Sequence, residues 1–331
     1  MKRINILVFL GILGVLGILV SCNKKTAATE RPVFNSDSAY AYIERQMSFG
    51  PRVPNSEAHT KCVVWLIEKL RELGAEVELQ KVFMPDYRGN NQQIYNIIGH
   101  FKPSGSNARS AQTILLGAHY DTRPWCDEEE NYSDRFYNVP GANDGASGVA
   151  VLLEVARQLG MRDSLLIPVD IIFFDCEDMG SPRVYTGLER EDTWCLGSQL
   201  WATNYANNIN SQLSTVNYQY GIVLDMVGAP DASFPREMYS TNYAANYQHQ
   251  IWRSAQALGY GAMFNDQQSY PITDDHYYIN RIAGIPCVDI IHYDIRNATG
   301  FPFWWHTRQD NMDNISKSTL QAVGEVIMYQ L

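Results

Sequence analysis

The chain alternates short apolar runs with longer stretches in which apolar residues recur every three or four positions. The clearest run is Val169-Asp170-Ile171-Ile172-Phe173-Phe174, β-branched and aromatic, as a strand covered on both faces should be. Residues 92–101 and 112–119 also read as strands, joined by a Pro-Ser-Gly-Ser turn at 103–106, and further strands are expected at 218–226 and 286–292. After Ser56, residues Val63, Leu66, Ile67, Leu70 and Leu73 keep the helical period, and Gly74 supplies a stop. Other helices are predicted at 38–47, 146–159 (closed by Gly160), 196–208, 242–258 and 316–330. Strands alternating with helices predict the α/β class, here a single-domain α/β/α sandwich around a central mixed, mostly parallel twisted sheet.

A composition 45% hydrophobic and 19% charged over 331 residues is that of a folded chain. The net charge of -10 argues against a nucleic-acid partner, which calls for a basic surface. The first 22 residues stand apart. Lys2 and Arg3 precede an almost wholly apolar stretch that ends in Leu19-Val20-Ser21-Cys22, the pattern of a bacterial lipoprotein signal whose cysteine is lipidated. An uncleaved membrane anchor is the alternative, because the run approaches the length of a span. Either reading sets the protein outside the cytoplasm and tethered to a membrane, with the periplasm of a Gram-negative bacterium expected. Residues 23–36 are polar and unpatterned, a tether, and 37–331 form the catalytic domain. Export permits disulfides among Cys62, Cys126, Cys176, Cys195 and Cys287, but the odd number leaves at least one thiol free.

In an α/β sheet ligands bind beyond the carboxyl ends of the strands, and that is where the reactive residues gather. His119 and Asp121 close one predicted strand, Asp175, Glu177 and Asp178 follow another, and Asp225 ends a third. Asp144 opens a helix from the small-residue loop Asn143-Asp144-Gly145-Ala146-Ser147, and His306 lies in a long loop before the last helix. Singly, each carboxylate reads as a helix cap or a solvated loop acid. Together, carboxylates and a histidine match the donor set of catalytic zinc, which keeps three protein ligands and one open position. Asp144, Asp178 and His306 are the expected ligands. Glu177, next to Asp178 but pointing elsewhere, is free for proton transfer.

Gly117-Ala118-His119-Tyr120-Asp121, Gly141-Ala142-Asn143-Asp144-Gly145, Phe173-Phe174-Asp175-Cys176-Glu177-Asp178 and Trp305-His306-Thr307 resemble the zinc aminopeptidase superfamily, in the family's order along nearly the whole chain. Within it the chain most resembles the mammalian-type glutaminyl cyclases, through Trp305 before His306, the segment 224–230, and Asp274-Asp275-His276. That resemblance implies one zinc and closure of N-terminal glutamine to pyroglutamate on peptides or exported proteins. Glu177 would be the general acid and base, Asp274 would orient it through a shared hydrogen bond, Asp225 would anchor the α-amine, and Trp305 would wall the pocket. Trp194 reads as a second wall or as a loop tryptophan. The aminopeptidase branch would instead hold two zinc ions, the second on His119 and Asp225. The chain departs from the cyclase pattern at Asp178, where glutamate is common, at Asp289, which aligns with a network histidine, and in the insert 180–192. An ionised Asp289 only accepts hydrogen bonds, so one acid of that network must hold a proton.

Overall fold

The computed structural model describes residues 31–103, 112–162, 165, 167–188, 190–210 and 216–331. The signal segment, Cys22 and most of both the tether and the 103–106 turn therefore lie outside the described residues. Helix α1 (Ser36–Met47) is capped by the Asn35 side chain and α2 (Glu57–Glu72) by Ser56, whose hydroxyl accepts the His59 N–H at 3.1 Å. Gly74, with φ at 94°, turns the chain out of α2 in the left-handed conformation that favours glycine. The chain then enters β1 (Glu76–Pro85), β2 (Asn91–Phe101) and β3 (Thr113–His119). Next come α3 (Ala146–Gly160), β4 (Val169–Phe174), α4 (Leu196–Asn210) and β5 (Tyr218–Asp225). A short pair, β6 (Phe234–Arg236) and β7 (Phe264–Gln268), brackets α5 (Met238–Ala257). One turn of helix, α6 (Asp275–Tyr278), then β8 (Cys287–Ile291) and α7 (Lys317–Met328) complete the chain.

The main sheet runs β1-β2-β4-β3-β5-β8. β4, β3, β5 and β8 pair in parallel, whereas β1 with β2 and β2 with β4 are antiparallel. The sheet is therefore mixed and mostly parallel, as expected. β4 lies between β2 and β3, so those two do not form a hairpin. Every residue of β3 and β4 is buried. One face packs Leu116, Ala118, Ile171 and Phe173 against α1, α2, α3, α5 and α7; the other packs Leu115, Ile172 and Phe174 against α4 and the segment after α6. Each Leu, Ile or Phe among them contributes roughly 1.5–3 kcal/mol by leaving water, and the double cover leaves the strands' carboxyl ends as the open rim. All five cysteines named above are free and buried among the described residues.

Candidate metal centre and cleft

His119 is the last residue of β3 and Asp225 the last of β5, while the four residues after β4 carry Asp175, Glu177 and Asp178 to the same rim. Asp144 arrives from the loop before α3. A Cβ on Gly145 would collide with the His119 carbonyl and ring, so only glycine lets this loop lie so close. Two buried side chains tie the loop down. Asp310 accepts the N–H groups of Asn143 at 2.8 Å and Asp144 at 3.1 Å, and Arg52 donates to the carbonyls of Pro140 at 2.8 Å and Gly141 at 2.5 Å.

Asp144, Asp178 and His306 are buried, and each offers a ligand atom within 4.8 Å of the others. His306 Nε2 lies 3.1 Å from Asp178 Oδ1 and 3.5 Å from Asp144 Oδ2. Asp178 Oδ2 is buried without a hydrogen-bond partner, an orphan that a cation would satisfy. The donor set and this orphan atom fit zinc. His119, Asp144 and Asp225 form a second set of the same compactness. There His119 Nε2 is 3.1 Å from Asp144 Oδ1 and 3.2 Å from Asp225 Oδ1, so Asp144 belongs to both sets. Asp121 holds the assembly from behind. One of its oxygens is 3.4 Å from His119 Nδ1, and its carboxylate accepts the backbone N–H groups of Glu177 at 3.1 Å and Asp178 at 3.3 Å.

Burial, and then the charge of Asp178, push Glu177 well above the usual carboxyl range. Burial also raises Asp225, to about 7, against the hydrogen bond from His119. Asp274 and Glu177 stand close together, each also held by a further group. Asp274 caps α6 through the Asp275 N–H, its second oxygen has no partner, and Glu177 Oε1 accepts from the Cys195 thiol at 3.1 Å. Two carboxylates share a hydrogen bond only when one is protonated, whereas a thiol donates to the ionised form. Asp274 still lies within 4.8 Å of Glu177 and Cys195. Behind it, Asp289 Oδ2 faces His276 Nδ1 at 3.5 Å, while His276 Nε2 bonds Glu237 at 3.0 Å. Burial, and then the Asp274 charge, raise Asp289 well above the usual range.

A cleft of about 620 Å³ opens over these groups. Of the ten residues given a role from the sequence, eight line it: Asp144, Glu177, Asp178, Trp194, Asp225, Asp274, Trp305 and His306. His119 and Asp289 sit behind them. Trp305 stacks on the His306 ring at 3.8 Å, and Trp194 lies parallel to it at 6.5 Å, so both tryptophans flank the histidine. His59 and His100 are structural, on Asp175 and Asp170 at 2.8 Å each. His292 packs against Trp304 with its pKa lowered to about 4 by burial. Arg52, Arg123, Asp127, Cys195 and Asp310 carried no signal of their own in the sequence.

An α/β sheet with a carboxylate–histidine centre at its parallel strand ends has the donor set of a metal-dependent enzyme. The chain belongs to peptidase family M28, whose sequence profile matches residues 96–331. It is 29% identical over 248 residues to the aminopeptidase YwaD of Bacillus subtilis, covering 72% of this chain and 44% of that one. It is 23% identical over 297 residues to the glutaminyl-peptide cyclotransferase of Bos taurus, covering 83% and 76% of the two chains. Among solved structures, a Zn-dependent exopeptidase from Parabacteroides distasonis is 42% identical with a TM-score of 0.84, covering 91% of this chain and 99% of that one. The glutaminyl cyclase of Bacteroides thetaiotaomicron bound to N-acetylhistamine is 43% identical with a TM-score of 0.83, covering 90% and 98%.

Proposed function

We propose that the chain is a glutaminyl-peptide cyclotransferase that closes N-terminal glutamine of peptides and exported proteins to pyroglutamate and releases ammonia. The observation that carries this is the aromatic setting of the metal ligand, with Trp305 stacked on His306 and Trp194 parallel to it, in a chain 43% identical to a glutaminyl cyclase. Flat faces beside the centre suit a planar carboxamide and exclude water from it. A zinc ion on Asp144, Asp178 and His306 would supply Lewis-acid polarisation of the γ-carbonyl.

The chain's own groups do the rest. Asp225 holds the α-amine beside Glu177. Glu177 accepts a proton from that amine as its nitrogen bonds the γ-carboxamide carbon, and it returns the proton to the departing ammonia as the old carbon–nitrogen bond breaks. A buried acid with a raised pKa suits both halves of this shuttle. Because nucleophile and carbonyl belong to one residue, holding them together replaces the work of binding a second reactant. The lipoprotein reading of Cys22 would place this activity on an exported, membrane-tethered protein. Among the described residues no helix is long and apolar enough to cross a membrane.

Reporter peptides test the proposal. Ammonia release from a Gln-coupled peptide, with no cleavage of it or of a Leu-coupled one, is expected; hydrolysis of the Leu peptide would overturn it. A two-zinc aminopeptidase is the second reading, favoured by the place of Asp144 in both donor sets. Metal analysis separates the two, with about one zinc per chain expected for the cyclase and about two for the peptidase.

A further inference from the structure

We propose that the buried pair Arg123–Asp127 is the positioning element of the metal centre, setting the His306 ring and the Trp194 wall together. The pair lies in the segment after β3, and both side chains are about 2% exposed. Arg123 donates through Nε and Nη2 to the two Asp127 oxygens at 2.9 and 2.7 Å, the parallel fork that arginine alone provides. Its Nη1 donates to the carbonyls of Asp178 at 3.0 Å and Gly180 at 3.4 Å, and Nη2 also reaches the Ser181 carbonyl at 3.3 Å. All five N–H groups thus have acceptors, three of them backbone carbonyls on the segment that carries ligand Asp178.

The two partners then act in different directions. The flat guanidinium lies 4.6 Å from the Trp194 ring, a cation–π contact that fixes the tryptophan's plane. Asp127 Oδ1 faces His306 Nδ1 at 3.6 Å, on the side of the ring opposite Nε2, which points at Asp144 and Asp178. A carboxylate on that side favours the tautomer with hydrogen on Nδ1 and leaves the Nε2 lone pair for a metal. Asp127 is held in turn by Arg123 and by the Arg183 N–H at 3.2 Å. One ion pair therefore aligns a ligand ring, a ligand backbone and a pocket wall.

This inference rests on the zinc reading of the site but not on cyclisation, so its test measures metal affinity. Asp127→Asn keeps the size of the side chain while removing the charge that faces His306. The zinc dissociation constant, from competition with a chromophoric chelator, should rise about 10- to 100-fold. Arg123→Met with Asp127→Leu removes the pair as a unit, together with the Arg123 contact 4.0 Å from Asp178 Oδ1, and should weaken zinc by at least as much. Metal-free melting and circular dichroism establish that either variant is folded. A folded variant with wild-type zinc affinity would overturn the proposal while leaving the metal site standing. Failure of the wild type to bind zinc would remove the reading beneath it as well. In zinc-loaded wild type, ¹⁵N-histidine spectra should have His306 protonated at Nδ1; an unprotonated Nδ1 would also overturn it, with no variant needed.

Discussion

The Cys195 thiol donates to Glu177, with Sγ 3.1 Å from Oε1, so the acid read as the proton shuttle takes a hydrogen bond from a sulfur. Both groups are buried, and Cys195 holds a φ of 54°, a conformation that β-branched residues resist. Removing the donor leaves a buried carboxylate without that partner. Cys195→Ala should lower kcat by about tenfold, the scale of one hydrogen bond to a charged group. Cys195→Ser should recover most of the loss, since a hydroxyl donates more strongly. Steady-state kinetics on a Gln-coupled peptide decide it, and wild-type kcat in the alanine variant would remove the thiol from the site's workings.

Glu177→Gln keeps the shape of the side chain but cannot carry a proton between amine and leaving ammonia. Turnover should fall by about 10²- to 10⁴-fold, the usual contribution of a positioned general acid–base. Zinc content by metal analysis should match the wild type, because Glu177 is not among the three expected ligands. Comparable activity in the variant would exclude Glu177 from the chemistry.

Asp310 supplies a pH dependence with a definite sign. Burial, and then the charge of Asp144, raise it from an ordinary 3.8 to about 8. A carboxyl raised on folding binds more proton in the native than in the unfolded chain. Its contribution is complete below about pH 4 and is lost as pH climbs through 8. The melting temperature of the metal-free protein should therefore fall between pH 5 and 9, and Asp310→Asn, which cannot titrate, should flatten that slope. An identical slope in the variant would count against the assignment.

His59 bonds Asp175 at 2.8 Å with both side chains fully buried, beneath the strand end that delivers Glu177 and Asp178. His59→Leu leaves that carboxylate short of its charged partner and should cost about 3–5 kcal/mol of unfolding free energy in urea titrations. Zinc affinity should change little, since the pair supports the strand and not the ligands. A stability loss below 1 kcal/mol would mean that the pair contributes no more than a surface one.

What could be read from the sequence follows from how local each signal is. Ser56 and Gly74 bound α2 by chemistry confined to a few residues, and the buried run 169–174 can only be a central strand. β1 escaped notice because it is an edge strand with no buried residue; its register is set by β2 and not by a face of its own. Glu177, Asp178 and Asp225 were legible because strand ends gather ligands in a parallel sheet, Asp144 and His306 because their donor types complete a zinc set, and Asp274, Trp194 and Trp305 only through the family resemblance. Asp310 and Arg52 act on a loop about 167 and 89 residues away in sequence, so only the folded chain reveals what they hold. Nothing in the sequence marked one Asp274 oxygen as the cap of α6, which leaves only the other to face Glu177.

Asp144 turns one oxygen toward His119 and the other toward His306, so a single side chain joins the two halves of the centre. Asp178 and Asp225 each belong to one donor set only, whereas any change at Asp144 disturbs both at once. The hinge of the site is therefore one residue on a glycine-bounded loop, not a strand end.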